Sequence, residues 1–161
     1  MPDQQRFVKM VLDAWHAQVN GTTALLDKLT DAQLKQEVAT GRNRGTYLVG
    51  HLTAEHDLLF PLLRFGAPLF PELKPVFVDA ADGPAVDAYD VAQLRARWTQ
   101  VHTALNTHVM ALAANDWFMR HNNIAETDFA REPHRNRLNV LITRTIHLAH
   151  HRGQLMLLSS K

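Results

Sequence analysis

The chain has 161 residues, a formal net charge of +1, 46% apolar residues and no cysteine. That length and apolar content predict one globular domain over residues 1–161, and the near-neutral charge excludes a generic nucleic-acid binder. The missing cysteine excludes disulfides, iron–sulfur clusters, cysteine-ligated zinc and thiol nucleophiles.

Helical periodicity runs along nearly the whole sequence. Val8, Val11, Trp15, Val19, Leu25 and Leu29 predict a long first helix starting after Asp3, with Gly21 as the point where it bends or splits. Thr30-Asp31 opens a short segment over 31–38, and the run from Gly41 to Gly45 breaks the pattern. A second long helix is expected over 46–64, kinked or ended by Pro61. Residues 66–89 carry Pro68, Pro71, Pro75 and Pro84 with Gly66 and Gly83, which predicts a long connection without helical pattern. Asp90 is a suitable N-cap for a third helix with a seam of Val91, Leu94, Trp98, Val101, Leu105, His108 and Leu112. Residues 115–135 look irregular and leave the burial of Trp117 open. A fourth helix is expected over 136–158.

No run alternates like a strand. The expected fold is therefore all-α, a four-helix bundle with a long connection between helices two and three. That connection would let the two helices lie other than as hairpin neighbours. No apolar run is long enough to span a membrane, and the opening MPDQQRFVKM lacks the apolar core of a signal peptide. A cytoplasmic location is the expectation.

Histidine is the unusual count, at ten. Imidazole binds metals, moves protons and changes charge near neutral pH. His147 and His151 stand four residues apart on the fourth helix, so their rings share one face at a separation that suits one metal ion. The same spacing suits two solvated or internally bonded histidines. On the second helix two registers compete. The stripe Leu48–His51–Glu55–Leu58–Leu62 turns His51 and Glu55 inward, whereas Val49–Leu52–His56–Leu59–Leu63 buries His56 and leaves His51 at the margin. Periodicity does not choose between them. His108 reads as a fourth ligand, a proton relay or a polar core residue; His102, four residues after Trp98, lines a pocket or lies on the surface. His16, His121 and His134 show no partner pattern and are expected to be solvated, and His150 has no assigned role. Arg144, one turn before His147, could meet an anionic substrate group or be a surface residue. Patterns for di-iron bundles, zincins, nucleotide loops and nucleophile elbows are all missing.

The segment HLAHHRGQL at 147–155 closely resembles the signature of the DinB-like (YfiT-like) metalloenzyme superfamily, and GTYLVGHLTAEHDLL at 45–59 resembles its second-helix stretch. The resemblance implies a bundle with a divalent metal, zinc or nickel, held by His51, His147 and His151 and open on one side. It selects the register that turns His51 inward. It further implies either a small-molecule enzyme, a transferase using a low-molecular-weight thiol or a hydrolase, or a non-catalytic metal-binding, structural or stress-associated bundle. Relatives often form homodimers, and the apolar seams would allow one. Within such a site Glu55 is the candidate base or ligand-orienting group. Arg152 and Gln154 are expected to support packing, with Gly153 permitting close helix approach.

Overall fold

The computed structural model describes residues 1–160. Helix α1 (Asp3–Lys28) runs without interruption through Gly21. Glycine inside a helix costs about 1 kcal/mol relative to alanine. Here it makes room: a Cβ on Gly21 would come within 2.6 Å of the Arg152 guanidinium carbon. Arg152 Nη1 also donates to Gln18 Oε1 at 3.2 Å, so the arginine is inserted against α1.

The turn after α1 is short. Thr30 and Gln33 form a reciprocal capping box that starts the single-turn helix α2 (Asp31–Leu34), which ends earlier than the expected 31–38 segment. Helix α3 (Gly45–Asp57) is followed by α4 (Leu59–Leu62), with the break at Leu58. Pro61 explains the break, because it has no N–H to give to the Asp57 carbonyl.

The long connection is not featureless. It contains a 3-10 turn (Pro71–Leu73), the short helix α5 (Lys74–Phe77) and a second 3-10 turn (Pro84–Ala88). Leu73, Phe77 and Val86 are buried in the core. These elements are one turn long, too short to leave a periodicity, and proline starts or sits within each. Buried Asp57 anchors the start of the connection by accepting the Leu69 and Phe70 N–H groups, both at 2.7 Å. Farther along, Asp82 accepts the backbone N–H of Arg44 at 2.7 Å and pairs with its guanidinium at 2.7 Å.

Helix α6 (Val91–Ala111) buries Val91, Leu94, Trp98, Val101 and Leu105, then Val109 in place of His108. Asp90 occupies the N-cap position, but its side chain makes no capping bond. Between α6 and the last helix lie a 3-10 turn (Ala114–Phe118) and α7 (Glu126–Arg131), and Trp117 is fully buried. Helix α8 (Arg137–Met156) is capped by Asn136, whose side-chain oxygen accepts the Asn139 N–H at 3.0 Å, and it continues into a 3-10 turn (Leu157–Ser160).

The long helices pack as a ring: α1 on α8, α8 on α3, α3 on α6 and α6 on α1. The protein is therefore an all-α bundle. Although a long connection joins them, α3 and α6 pack directly. The connection folds back over α3, where α5 and the Pro71–Leu73 turn both rest. No helix among the described residues is long and apolar enough to cross a membrane.

Candidate metal centre

Three imidazoles meet between α3 and α8. His147 Nε2 lies 3.2 Å from His51 Nε2 and 3.1 Å from His151 Nε2. The separation along α8 is one turn, so both rings leave the same face. His51 comes from α3, which packs against α8.

Two of the three rings have their tautomer fixed from behind. His51 Nδ1 donates to the Phe77 carbonyl at 2.6 Å, and His151 Nδ1 donates to Gln154 Oε1 at 2.7 Å. A ring with its proton on Nδ1 carries a bare lone pair on Nε2. Both bare nitrogens point at the third Nε2, and a single proton there could satisfy only one of them. A cation satisfies all three. Tetrahedral zinc with bonds of 2.0–2.1 Å separates its nitrogen ligands by about 3.4 Å, close to the spacing found here. The three ligand atoms lie within 4.8 Å of one another, and this is the one such metal-competent group among the described residues.

The protein also disfavours charge on the two α8 rings. Burial first, then the neighbouring His151 and His51, pushes His147 down to about 4. Burial likewise lowers His151, partly opposed by its bond to Gln154. Neutral imidazole is the metal-binding form.

The backbone carbonyl behind His51 is brought there by a glycine. A Cβ on Gly50 would lie 2.2 Å from the Phe77 ring. Only glycine lets α5 press so closely on α3 and place the Phe77 carbonyl at His51. The lone small residue preceding a candidate ligand inside a helix was the available signal. Gln154 likewise does more than pack, and its three-residue spacing from His151 was its signal. Gly153 does not permit a close approach: it is exposed and faces open space. The close approach belongs to Gly21 and Gly50.

Both registers proposed for the second helix are used. Val49, Leu52, His56, Leu59 and Leu63 are buried, and Leu48 is too. His51 and Glu55 are half-buried and face α8. Glu55 and Arg144 form an ion pair with each other, one turn beyond His51 and one turn before His147, and both side chains are mostly buried. Glu55 also acts on His151 as a nearby negative charge.

A second histidine group lies on the other side of α3. His56 is fully buried and donates from Nδ1 to His102 Nε2 at 2.8 Å, while His102 Nδ1 donates to the Trp98 carbonyl at 2.8 Å. Trp15 and Trp98 pack against these rings, Trp98 at 3.8 Å from His102 between centroids. Burial pushes His102 down to about 4 and holds His56 well below its ordinary value. His102 also lines a cleft of about 600 Å³ between α1 and α6, so its pocket reading holds. At the edge of that cleft His16 bonds to Asn106 at 3.0 Å in an exposed position, bridging α1 and α6 at the surface. His108 stacks on Phe65 at 5.0 Å and belongs to neither histidine group. His134 and His150 are exposed.

The family model described as the DinB superfamily matches residues 14–155, from within α1 to the last turn of α8. No curated protein matches the chain.

Proposed function

Because the chain belongs to the DinB superfamily, we propose that it is a divalent-metal-dependent enzyme acting on a small molecule, with zinc or nickel held by His51, His147 and His151. The observation that carries this reading is the convergence of three Nε2 atoms, two of them made bare by hydrogen bonds behind their rings. Three neutral ligands leave the ion its full charge, so when bound it supplies Lewis acidity and lowers the pKa of a coordinated thiol or water. A low-molecular-weight thiol points to a transferase, and water to a hydrolase.

In this reading the ion pair beside the site has two working parts. Arg144 receives an anionic group of the substrate. Glu55, released from Arg144 by that exchange, accepts the proton of the nucleophile. Both side chains already stand one helical turn from a ligand, so no helix has to move.

The same pair favours a second reading, a non-catalytic metal-binding bundle, because Glu55 is neutralised by Arg144 at rest. One set of experiments separates the two. Elemental mass spectrometry on untagged protein should find about one divalent ion per chain, lost in His51→Ala, His147→Ala and His151→Ala. No ion after incubation with zinc and nickel would sink both readings. With the ion present, turnover in a screen of thiol cosubstrates and ester or amide substrates supports the enzyme. Loss of thermal stability on metal removal, with no turnover, supports the bundle.

A further inference from the structure

Of the three ligands, His51 depends most on a distant part of the chain. His151 finds the acceptor for its Nδ1 proton on its own helix, at Gln154. His51 finds it on the connection, at the Phe77 carbonyl 26 residues away. Whatever holds that carbonyl against α3 therefore holds the tautomer and orientation of His51.

One residue of α3 touches both the ring and the segment behind it. Tyr47 stands four residues before His51, one helical turn away on the same face. Its ring lies nearly parallel to the imidazole, with 13° between planes and 5.9 Å between centroids, which is an offset stack. The same ring meets that of Phe77 at 6.1 Å, tilted by 42°. Its hydroxyl donates to the Ala80 carbonyl at 2.9 Å. Between Phe77 and Ala80 the chain turns, because the Val78 and Asp79 N–H groups both reach the Lys74 carbonyl, at 2.9 and 3.0 Å. Tyr47 thus holds this segment at both of its ends, against the stretch of α3 whose Gly50 admits the Phe77 ring. Tyr47 is itself buried, and a buried phenol must place its O–H on an acceptor. The acceptor it uses lies three residues from the one that serves His51.

We infer that Tyr47 is a positioning residue of the metal centre: its ring backs the His51 imidazole, and its hydroxyl pins the 77–80 segment so that the Phe77 carbonyl keeps the Nδ1 proton and Nε2 stays free. This rests on the three-histidine metal reading. The two contributions are separable, since Tyr47→Phe removes only the hydroxyl and Tyr47→Leu removes hydroxyl and ring together.

The test is cobalt(II) affinity, measured by competition titration on the wild type and both variants. The expected result is a weakening of about 10- to 100-fold in Tyr47→Leu, the range typical of lost outer partners, and a smaller one in Tyr47→Phe, whose ring is kept. In the metal-free protein, nitrogen NMR of labelled histidines should show the His51 Nδ1–H exchanging faster in Tyr47→Phe than in the wild type. Leu105→Ala, in the buried seam of α6, controls for lost stability and should bind cobalt(II) like the wild type. A folded Tyr47→Leu with wild-type affinity overturns the inference. So does a Leu105→Ala that loses as much affinity as Tyr47→Leu. If Tyr47→Leu does not fold, Tyr47→Phe decides the matter, and wild-type affinity together with wild-type exchange at His51 overturns the inference. Wild-type protein that binds no cobalt(II) overturns the metal reading itself, an outcome distinct from wild-type binding that the Tyr47 variants leave unchanged.

Discussion

Helix α3 carries a histidine group on each side, and the two use the same side chain in opposite ways. Toward α8, His51 meets His147 and His151 with lone pairs converging on one point. Toward α6, His56 and His102 give their protons in sequence, ring to ring to carbonyl, and no lone pairs converge. The first group is half-exposed and reachable, whereas in the second His56 is sealed between Trp15 and Trp98. What separates a ligand from a core histidine here is the partner behind the ring. A Phe77 carbonyl or a Gln154 oxygen behind the ring frees Nε2 for a cation. A second imidazole in front consumes it.

The largest expected effect is on metal content. His151→Ala should bring the ion from about one per chain to none, with helical circular dichroism kept, while His56→Gln retains about one ion. Equal loss in both variants would erase the distinction between the groups. The next effect is on stability. His56→Ala opens a void among buried aromatic rings and strands His102 Nε2, a combination expected to cost about 2–4 kcal/mol in urea denaturation. His151→Ala in the metal-free protein should cost about 1 kcal/mol or less.

Acid should destabilise the metal-free protein through both groups, since His147 as well as His102 is held at about 4. His102, held at about 4 in the folded protein, is protonated near 6.5 when unfolded. The unfolded chain therefore binds more protons between those values, and metal-free stability must fall as pH drops through that window. From His102 alone the loss is about 2 kcal/mol by pH 5. His56 adds in the same direction. An unfolding free energy that stays level between pH 7 and pH 5 would contradict the burial of this pair. The smallest contrast involves glycines. Gly50→Ala forces a Cβ into the Phe77 ring and should cost about 1–3 kcal/mol, with weaker metal binding as the carbonyl leaves His51. Gly153→Ala meets nothing and should change stability by less than about 1 kcal/mol, in the stabilising direction.

The four long helices were legible in the sequence because each carries many turns of apolar repeat, and α1 and α6 start where expected. The short helical turns between α3 and α6 were not, since one turn leaves no period to read. Ring order was also hidden. Loop length left the relation of α3 and α6 open, and the buried Leu73 and Phe77 fold the connection back over α3. At the centre, the spacing of His147 and His151 was visible, whereas the choice of His51 over His56 was not, because α3 is buried on several sides and both registers are apolar. The Phe77 carbonyl was beyond reach in principle, since a backbone atom has no residue type to betray it.

An ion shared by His51 and His147 would tie together positions 96 residues apart in a chain that has no cysteine. In polymer terms it is a removable cross-link. Closing a loop of that length takes away about 4–5 kcal/mol of unfolded-state freedom when the tie is permanent. A coordinate tie gives part of that benefit, indifferent to oxidants and reductants and answerable only to metal supply and acidity. Metal loading should therefore slow unfolding of the whole bundle, including segments far from the three rings.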